Sequence, residues 1–220
     1  MSDIFKNRKA IVFDMDGTVL NTLDDLTASM NFVMEKFGFP THTAEEYRSA
    51  FGNGIRYALE KTAPNGTPSG VIDSMIPFFK EHYDEHCLDN TCPYDGIIPL
   101  MKKLKERGCK MAIVSNKIDS AVKELNERFF SDVVDVAIGE RAGIKRKPAP
   151  DMVFLALDEL RASVGDAVYV GDSEVDLQTA KNSSLPCISV LWGFRDRDYI
   201  KEVGGDTFAE SPDEILDILS

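Results

Sequence analysis

Two carboxylates stand at the point where the first apolar run of the chain ends. The stretch IVFDMDGT, residues 11–18, places Asp14 and Asp16 one residue apart and directly before Gly17. An ordinary turn needs a glycine and one aspartate at most. The pair therefore predicts either a cation site or a chemical role for at least one of the two aspartates.

Polar residues also follow two later apolar runs. After MAIV (111–114) and AVYV (167–170) come Ser115, Asn116, Gly171, Asp172, Ser173 and Asp176, and Lys147 lies beyond the third run, in the stretch KRKPAPD. In an open α/β sheet, ligands bind outside the carboxyl ends of the strands. We therefore expect three or four carboxylates, a hydroxyl and a lysine at one edge of a sheet.

This set of side chains is suited to binding a metal ion and an anion together. Crowded carboxylates repel one another and need a cation, and hard oxygen ligands favour Mg²⁺. Lys147, the Ser115 and Asn116 donors and backbone N–H groups near Gly17 would hold an anion against the metal. A metal, an anion clamp and a free carboxylate together indicate phosphoryl transfer.

Each of these residues also has a structural interpretation. Asp14 and Asp16 could form a strand-end turn with an Asx hydrogen bond. Ser115 could be a helix N-cap and Lys147 a surface lysine, while Asp176 could be a first-turn acid favoured by the helix dipole. Their joint occurrence at several strand ends favours the functional interpretation, because burying so many charges without a function is costly.

The elements that must position these residues are strands separated by helices. Five short apolar runs rich in Val and Ile are typical of buried parallel strands: AIVF (10–13), MAIV (111–114), VVDVAI (133–138), AVYV (167–170) and CISVL (187–191). Segments with helical spacing lie between the later runs. The alternation predicts an α/β fold with a doubly wound parallel sheet.

Residues 22–92 break the alternation and predict an inserted helical unit. Apolar residues from Leu23 to Phe37 follow a 3.6-residue period, and Thr43 and Glu46 have the spacing of a capping box. FGNGIR (51–56) interrupts the helices, and Pro77 should kink or start the last of them. We predict a core domain of residues 1–21 and 93–220 and a helical domain of residues 22–92.

Composition excludes several classes of function. The chain has 220 residues, of which 43% are hydrophobic and 28% charged, and its formal net charge of −12 argues against a nucleic-acid surface. It has neither a long apolar run for a membrane span nor a signal-peptide pattern, so we expect no membrane association and a cytoplasmic location.

Four cysteines form no CxxC pair and are expected to be reduced, buried thiols. His82 and His86 are spaced i, i+4 on a predicted helix, with Cys87 and Cys92 following. A zinc site there is geometrically conceivable, but the cysteine spacing is not a standard one. A polar helix end is the favoured interpretation.

The chain resembles the haloacid dehalogenase superfamily of phosphatases. Four elements carry the resemblance: DMDGT (14–18), the strand-end Ser115, Lys147 followed by Pro148, and GDSEVD (171–176), in matching order and spacing. The resemblance spans nearly the whole chain. It implies a Rossmann-like core and a helical cap that closes over the site and selects the substrate.

The resemblance also implies roles for individual residues. Asp14 would be the nucleophile that forms an aspartyl-phosphate, and Asp16 would protonate the leaving alkoxide and then deprotonate the attacking water. Mg²⁺ would be held by the Asp14 carboxylate, the Asp16 backbone carbonyl and Asp172, with Asp176 in the second shell. The transferring phosphoryl group would be bound by Ser115 and Lys147, with Gly17, Thr18 and Asn116 as further substrate-binding residues.

The aspartate at position 16 favours phosphate esters, because dehalogenases and phosphonate-cleaving members lack it. Gly52-Asn53-Gly54 and WGFR (192–195) look most like phosphoglycolate phosphatase and its relatives. Arg56 is a candidate ligand for a substrate carboxylate or phosphate, and a solvated arginine is the alternative. The expected partner is a small phosphorylated metabolite, and the expected assembly is a monomer or homodimer.

Other activities remain open at this point. Nucleotidase, pyrophosphatase and sugar-phosphatase activities fit the same core motifs. A phosphomutase like β-phosphoglucomutase shares every core motif and differs in excluding water from the aspartyl-phosphate. A phospho-receiver binding module also uses an aspartate, Mg²⁺, a hydroxyl and a lysine, but it is about half as long and has no use for a cap or for Asp16.

Overall fold

A computed structural model describes residues 3–220, which form two compact units. One unit contains the residues up to Leu20 together with Pro93–Ser220, and the other contains Asn21–Cys92. Within residues 3–220, no helix is long and apolar enough to cross a membrane.

The second unit is built from four helices: α1 (Leu23–Lys36), α2 (Ala44–Arg48), α3 (Ile55–Thr62) and α4 (Ser69–His86). The predicted capping box is present at the start of α2. The Glu46 amide donates to Thr43 Oγ1 (3.3 Å), and the Thr43 amide donates to Glu46 Oε2 (2.7 Å). These bonds satisfy two of the amides that a helix start leaves without partners.

Pro77 lies inside α4, so of the two predicted alternatives, a kink or a helix start, the helix start is excluded. The helix begins at Ser69 and continues through the proline to His86. Ile72, Met75 and Phe79 are buried on both sides of Pro77 in the sequence. The apolar face of α4 therefore begins before Pro77 and continues beyond it.

A buried carboxylate joins the two ends of the helical unit. Asp25, in the first turn of α1, is 1% exposed and accepts hydrogen bonds from the amides of Asn90 and Thr91 (2.9 and 2.8 Å). The Asn90 side-chain amide (2.9 Å) and the Thr91 hydroxyl (2.7 Å) donate to it as well. Burial raises the pKa of Asp25, but these bonds together lower it below its ordinary value.

We expect Asp25→Ala to lower the free energy of unfolding by about 3 kcal/mol at pH 7, because it leaves buried donors without an acceptor. The ionised carboxylate stabilises the fold above the ordinary Asp pKa of about 4, and this stabilisation is lost as the pH falls through the depressed folded-state pKa. The difference in the free energy of unfolding between Asp25→Ala and the wild type should therefore become smaller at acid pH. Urea denaturation at several pH values measures it.

Asp24→Ala is the matched control, because Asp24 occupies the same helical turn and is exposed. It removes the same favourable interaction with the helix dipole and no buried hydrogen bonds. Equal destabilisation by the two substitutions would contradict the role assigned to Asp25.

The first unit is organised around a six-stranded parallel sheet. Its strands are β1 (Ala10–Phe13), β2 (Lys110–Ile118), β3 (Val136–Glu140), β4 (Ala167–Gly171), β5 (Cys187–Val190) and β6 (Phe208–Ala209). In space they follow the order β3-β2-β1-β4-β5-β6, with all neighbours parallel. Phe13 is in register with Ile113 and Val170, so β1 and β4 end at nearly the same level, whereas β2 continues to Ile118.

Both faces of the sheet are covered, as the continuous apolar runs predict. The helices of this unit are α5 (Ile97–Glu106), α6 (Asp119–Phe129), α7 (Asp151–Leu160), α8 (Glu174–Asn182), α9 (Arg197–Glu202) and α10 (Pro212–Ile218). Alternate residues of β1 enter different apolar clusters: Ile11 and Phe13 pack with α5, α6 and α10, while Ala10 and Val12 pack with α7. The predicted doubly wound α/β fold is confirmed.

The strand predicted over residues 133–138 is wrong at its start, and the two-residue strands were not predicted. Val133 and Val134 lie in the turn after α6, where both amides donate to the Phe130 carbonyl (2.9 Å), so β3 starts only at Val136. The valines are buried in this turn, and burial made them resemble a strand. The two-residue strand β6 and a separate pair, Leu20–Asn21 with Cys92–Pro93, are too short to show a sequence period.

Candidate active site

The polar residues at the ends of β1, β2 and β4 lie together. Asp14 follows β1, Asp172 follows β4, and Ser115 lies in the second half of β2. The Asp14 amide donates to the Val170 carbonyl (2.9 Å), which joins the ends of β1 and β4. Asp14, Asp172 and Ser115 are 5%, 1% and 2% exposed, so these side chains are shielded from bulk water.

Lys147 reaches this cluster from the loop between β3 and α7. Its Nζ lies 2.7 Å from Asp14 Oδ1 and 2.8 Å from Asp176 Oδ1, and the residue is 3% exposed. Burial lowers the pKa of Lys147, but the two facing carboxylates raise it by more than burial lowers it. The pKa of Lys147 therefore lies above its ordinary value. The ammonium group is therefore charged and bridges two carboxylates.

The carboxylates of Asp14, Asp172 and Asp176 form an acidic cluster that fits a cation. One ligand oxygen from each lies within 4.8 Å of the others, and within residues 3–220 this is the one such group of His, Cys, Asp or Glu side chains. Burial and then Asp176 raise the pKa of Asp14 well above its usual range and that of Asp172 to about 7. A divalent cation among these hard oxygens would offset both increases, because its positive charge favours the ionised carboxylates.

Asp176, in the first turn of α8, has partners at both of its oxygens. Oδ1 accepts from Lys147 Nζ and from the Tyr169 hydroxyl (3.0 Å), and Oδ2 accepts from the Ser173 hydroxyl (2.6 Å) and amide (3.1 Å). Burial raises the pKa of Asp176, but the charge and hydrogen bond of Lys147, with the other hydrogen bonds, lower it below its ordinary value. The carboxylate is thus ionised and held in place by the protein.

Asp16 lies beside a second lysine. Its Oδ1 is 3.0 Å from Lys117 Nζ, and the Ser115 hydroxyl lies 3.3 Å from its Oδ2. The Lys117 amide donates to the same hydroxyl (3.1 Å). The side-chain amide of Asn116, the residue between Ser115 and Lys117, donates to the Lys147 carbonyl (3.1 Å).

Gly17 and Thr18 pack directly against Asp172. Gly17 has φ +83°, and a Cβ there would lie 2.4 Å from Asp172 Oδ2, so both backbone conformation and space require glycine. Thr18 is fully buried, with its hydroxyl 3.4 Å from Asp172 Oδ1. The turn after β1 and the end of β4 are therefore closely fitted.

A loop after β5, residues 192–195, also supports this edge of the sheet. The Trp192 indole N–H donates to the Thr18 carbonyl (2.9 Å), and the Phe194 amide donates to Asp172 Oδ2 (2.6 Å). Arg195 is 6% exposed and makes a double hydrogen bond to Glu174 (2.8 and 3.1 Å). Trp192 and Phe194 thus contact both the turn after β1 and the end of β4.

Three features of the site went unrecognised in the sequence: Tyr169, Lys117 and the contacts of loop 192–195. Tyr169 stands in an otherwise aliphatic run, and its hydroxyl lies 3.2 Å from Lys147 Nζ. A phenol in a buried strand usually has a polar partner, which was the available signal. Lys117 follows Ser115 and Asn116 within a strand, where a charge near the end of a buried run was the corresponding signal.

Arg56 belongs to the helical unit and is engaged within it. Its guanidinium pairs with Glu60 (Nε–Oε1 3.0 Å) and with Asp73, and it donates to the Ser69 hydroxyl (2.8 Å). These partners lie on α3 and α4. A substrate contact for Arg56 stays a prediction.

The conceivable zinc ligands have other partners. His82 Nδ1 lies 3.0 Å from the Ser29 hydroxyl, and His86 Nδ1 lies 2.8 Å from Asp89 Oδ2. None of the four cysteines, all of which lie within residues 3–220, forms a disulfide, but Cys92 is exposed and Cys187 is half-buried, so the expectation of uniformly buried thiols is wrong. Cys92 lies on the two-residue strand that pairs with Leu20–Asn21.

Comparison with known proteins agrees with this geometry. A family model described as haloacid dehalogenase-like hydrolase matches residues 11–190, which include every residue of the acidic cluster and Lys147. The chain belongs to the haloacid dehalogenase-like hydrolase family. The resemblance drawn from the four motifs is thereby confirmed, as is the prediction of a phosphatase.

Relatives of this hydrolase family cover most of the chain. A phosphoglycolate phosphatase from Rhodobacter capsulatus is 32% identical over 84% of this chain and 85% of its own length. An N-acetylmuramic acid 6-phosphate phosphatase from Pseudomonas aeruginosa is 25% identical over 96% of this chain and 94% of its own. A crystal structure from Lactobacillus delbrueckii subsp. bulgaricus, assigned provisionally as a phosphoglycolate phosphatase, is 35% identical with a TM-score of 0.93, covering 97% of this chain and 99% of its own.

Proposed function

We propose that this hydrolase is a Mg²⁺-dependent phosphatase that cleaves a small phosphomonoester through an aspartyl-phosphate on Asp14, with phosphoglycolate as the leading substrate. The observation that carries the proposal is the buried contact of Lys147 with Asp14 (2.7 Å) beside Asp172 and Asp176. The names of the relatives support the choice of substrate. The acidic cluster supports a divalent metal, and its hard oxygen ligands favour Mg²⁺.

Asp14 is the proposed nucleophile. Its Oδ1 accepts from the Met15 amide (2.7 Å) and faces Lys147, so the carboxylate is fixed before a substrate enters. A positioned attacking group removes much of the entropic barrier of the reaction. Attack by a carboxylate oxygen on phosphorus divides one slow hydrolysis into transfer to Asp14 and release by water.

Asp16 is the proposed acid and base. It would give a proton to the leaving oxygen and later take one from the attacking water. Ser115 and Lys117 hold its carboxylate from two sides, which supports a fixed orientation. Ser115 and Lys147 would also bind the phosphoryl oxygens, with Asn116 and the backbone at Gly17 and Thr18 as further donors.

The proposed metal ligands are the carboxylates of Asp14 and Asp172 and the backbone carbonyl of Asp16. Asp176 is proposed to act from the second shell, because four donors already occupy its oxygens. When bound, Mg²⁺ would offset negative charge on the transferring phosphoryl group. Residues 22–92 are the proposed cap, and a cytoplasmic location stays a prediction.

Phosphate release from a panel of esters tests this function. The panel contains phosphoglycolate, nucleoside monophosphates, pyrophosphate, sugar phosphates including N-acetylmuramic acid 6-phosphate, and β-glucose 1-phosphate. We expect release that stops when a chelator removes the metal and returns with Mg²⁺, with the highest kcat/KM for phosphoglycolate.

The other outcomes identify the rivals. Isomerisation of β-glucose 1-phosphate without phosphate release would identify a mutase. Highest kcat/KM for a nucleotide, pyrophosphate or a sugar phosphate would replace the substrate and keep the mechanism. Absence of release from every ester by folded protein would contradict the proposed function.

A further inference from the structure

The site contains a second lysine with a buried side chain, which pairs with Asp16. Lys117 lies on β2, two residues after Ser115, and its side chain is 5% exposed. Its Nζ is 3.0 Å from Asp16 Oδ1. Lys147, by contrast, contacts Asp14 and Asp176. Each of the two lysines thus accompanies a different member of the aspartate pair.

This division places Lys117 next to the leaving group. A carboxyl group that protonates the ester oxygen must come within hydrogen-bond distance of it, about 3 Å. The Lys117 ammonium lies at a similar distance from the same carboxylate. Atoms bonded to the leaving oxygen therefore enter the immediate surroundings of a positive charge.

A nearly buried ammonium discriminates strongly among neighbouring groups. It attracts an anion far more strongly than it would in water, because little solvent screens the interaction. A neutral group gains little from it, and a cation is repelled. Asp16 is the anion beside it in the free protein, and a substrate anion would share the same ammonium.

We propose that Lys117 is a specificity-determining residue that selects phosphate esters whose leaving group carries a carboxylate close to the ester oxygen. The inference rests on the proposed function and adds to it a residue and a chemical class of substrate. Lys147 serves the group being transferred, and Lys117 serves the group that departs. The short distance between Asp16 and Lys117 favours a carboxylate one or two carbons from the ester oxygen.

Three small esters that differ in terminal charge test the proposal on the wild-type protein. Phosphoglycolate is anionic at its end, 2-hydroxyethyl phosphate is neutral and phosphoethanolamine is cationic. We expect kcat/KM to fall in that order. Equal values for the anionic and neutral esters would overturn the proposal without touching the phosphatase assignment, whereas no release from any ester would overturn both.

The variant Lys117→Met removes the charge and keeps the length of the side chain. Both phosphoglycolate and 2-hydroxyethyl phosphate should be cleaved more slowly, because Asp16 loses a contact. The loss for phosphoglycolate should be greater by about 100-fold, which is typical of removing one partner of a buried charge pair. The ratio of the two kcat/KM values isolates the effect on selectivity from general damage.

Lys123→Met is the matched control, since Lys123 pairs with Asp119 and its side chain is 57% exposed. In Lys123→Met, the ratio of kcat/KM for phosphoglycolate to kcat/KM for 2-hydroxyethyl phosphate should equal that of the wild type. An unchanged ratio in Lys117→Met would show that Lys117 acts only by holding Asp16, and would overturn the selectivity proposal. If Lys117→Met does not fold, the wild-type ester series decides the matter.

Discussion

Asp14→Asn should abolish turnover and leave the fold intact. An amide cannot attack phosphorus as a carboxylate does, and the other carboxylate beside Lys147, that of Asp176, already accepts four hydrogen bonds. Loss of a positioned nucleophile reduces kcat by about 10⁵-fold or more. Phosphate release at saturating substrate and Mg²⁺, with enough protein to detect such a low rate, measures the effect.

The same substitution should not destabilise the metal-free protein at high pH. Burial and Asp176 raise the folded-state pKa of Asp14, so its ionised form opposes folding once the pH exceeds the ordinary Asp pKa. A group with a raised carboxyl pKa gives stability that is present at low pH and lost as the pH rises through the folded-state value. Asn carries no charge, so the variant should equal or exceed the metal-free wild type in thermal stability at pH 8.

Asp158→Asn provides the control, because Asp158 is an exposed residue of α7. The Asp158→Asn variant, purified in the same way as Asp14→Asn, should have the activity of the wild type. Activity of Asp14→Asn within tenfold of the wild type would contradict the nucleophile assignment. A large loss of thermal stability would contradict the electrostatic account of the cluster.

The residues at the strand ends could be predicted because local sequence determines both their chemistry and their place. Asp14 and Asp172 each follow a run of buried apolar residues, and parallel strands bring such positions to one edge of a sheet. Lys147 lies in a loop beyond the third apolar run, and the family motif supported its inclusion in the site. The structure adds the distances that make it a partner of Asp14.

Contacts between distant segments could not be predicted in this way. Tyr169 belongs to an apolar run that predicts a buried strand, and only the fold brings its hydroxyl to Asp176. Lys117 has a side chain long enough to turn toward solvent or toward Asp16, and spacing does not decide between them. Val133 and Val134 show the converse, because burial in a turn gives the same apolar signal as a strand.

Loop 192–195 has a consequence for metal binding that rests on one glycine. A Cβ on Gly193 would lie 2.4 Å from Asp172 Oδ2 and 2.4 Å from the Gly17 carbonyl oxygen. Real Cβ atoms do not approach other atoms so closely, and one of the two contacts is backbone. Alanine at this position must therefore displace Asp172, the turn at Gly17 or the loop itself.

Each of these displacements disturbs the proposed metal ligands. The Phe194 amide that follows the glycine holds Asp172 Oδ2 at 2.6 Å, and the Thr18 hydroxyl lies 3.4 Å from Oδ1, so these contacts orient the proposed metal ligand. The Trp192 bond to Thr18 and the Arg195 pair with Glu174 anchor the loop on either side, so the loop cannot simply move away. Groups that orient a metal ligand typically contribute 10- to 100-fold to metal affinity.

We therefore expect Gly193→Ala to weaken Mg²⁺ binding by about 10- to 100-fold, measured by calorimetric titration of the metal-free protein and by the Mg²⁺ dependence of phosphate release. Gly165→Ala is the matched control, because a Cβ there would lie 3.5 Å from the Ser163 hydroxyl, an ordinary contact. Saturating Mg²⁺ should restore much of the activity if the loop acts through Asp172. Unchanged Mg²⁺ affinity in folded Gly193→Ala would instead mean that the loop yields to the added methyl group, and that the position of Asp172 is fixed by Gly17 and β4 alone.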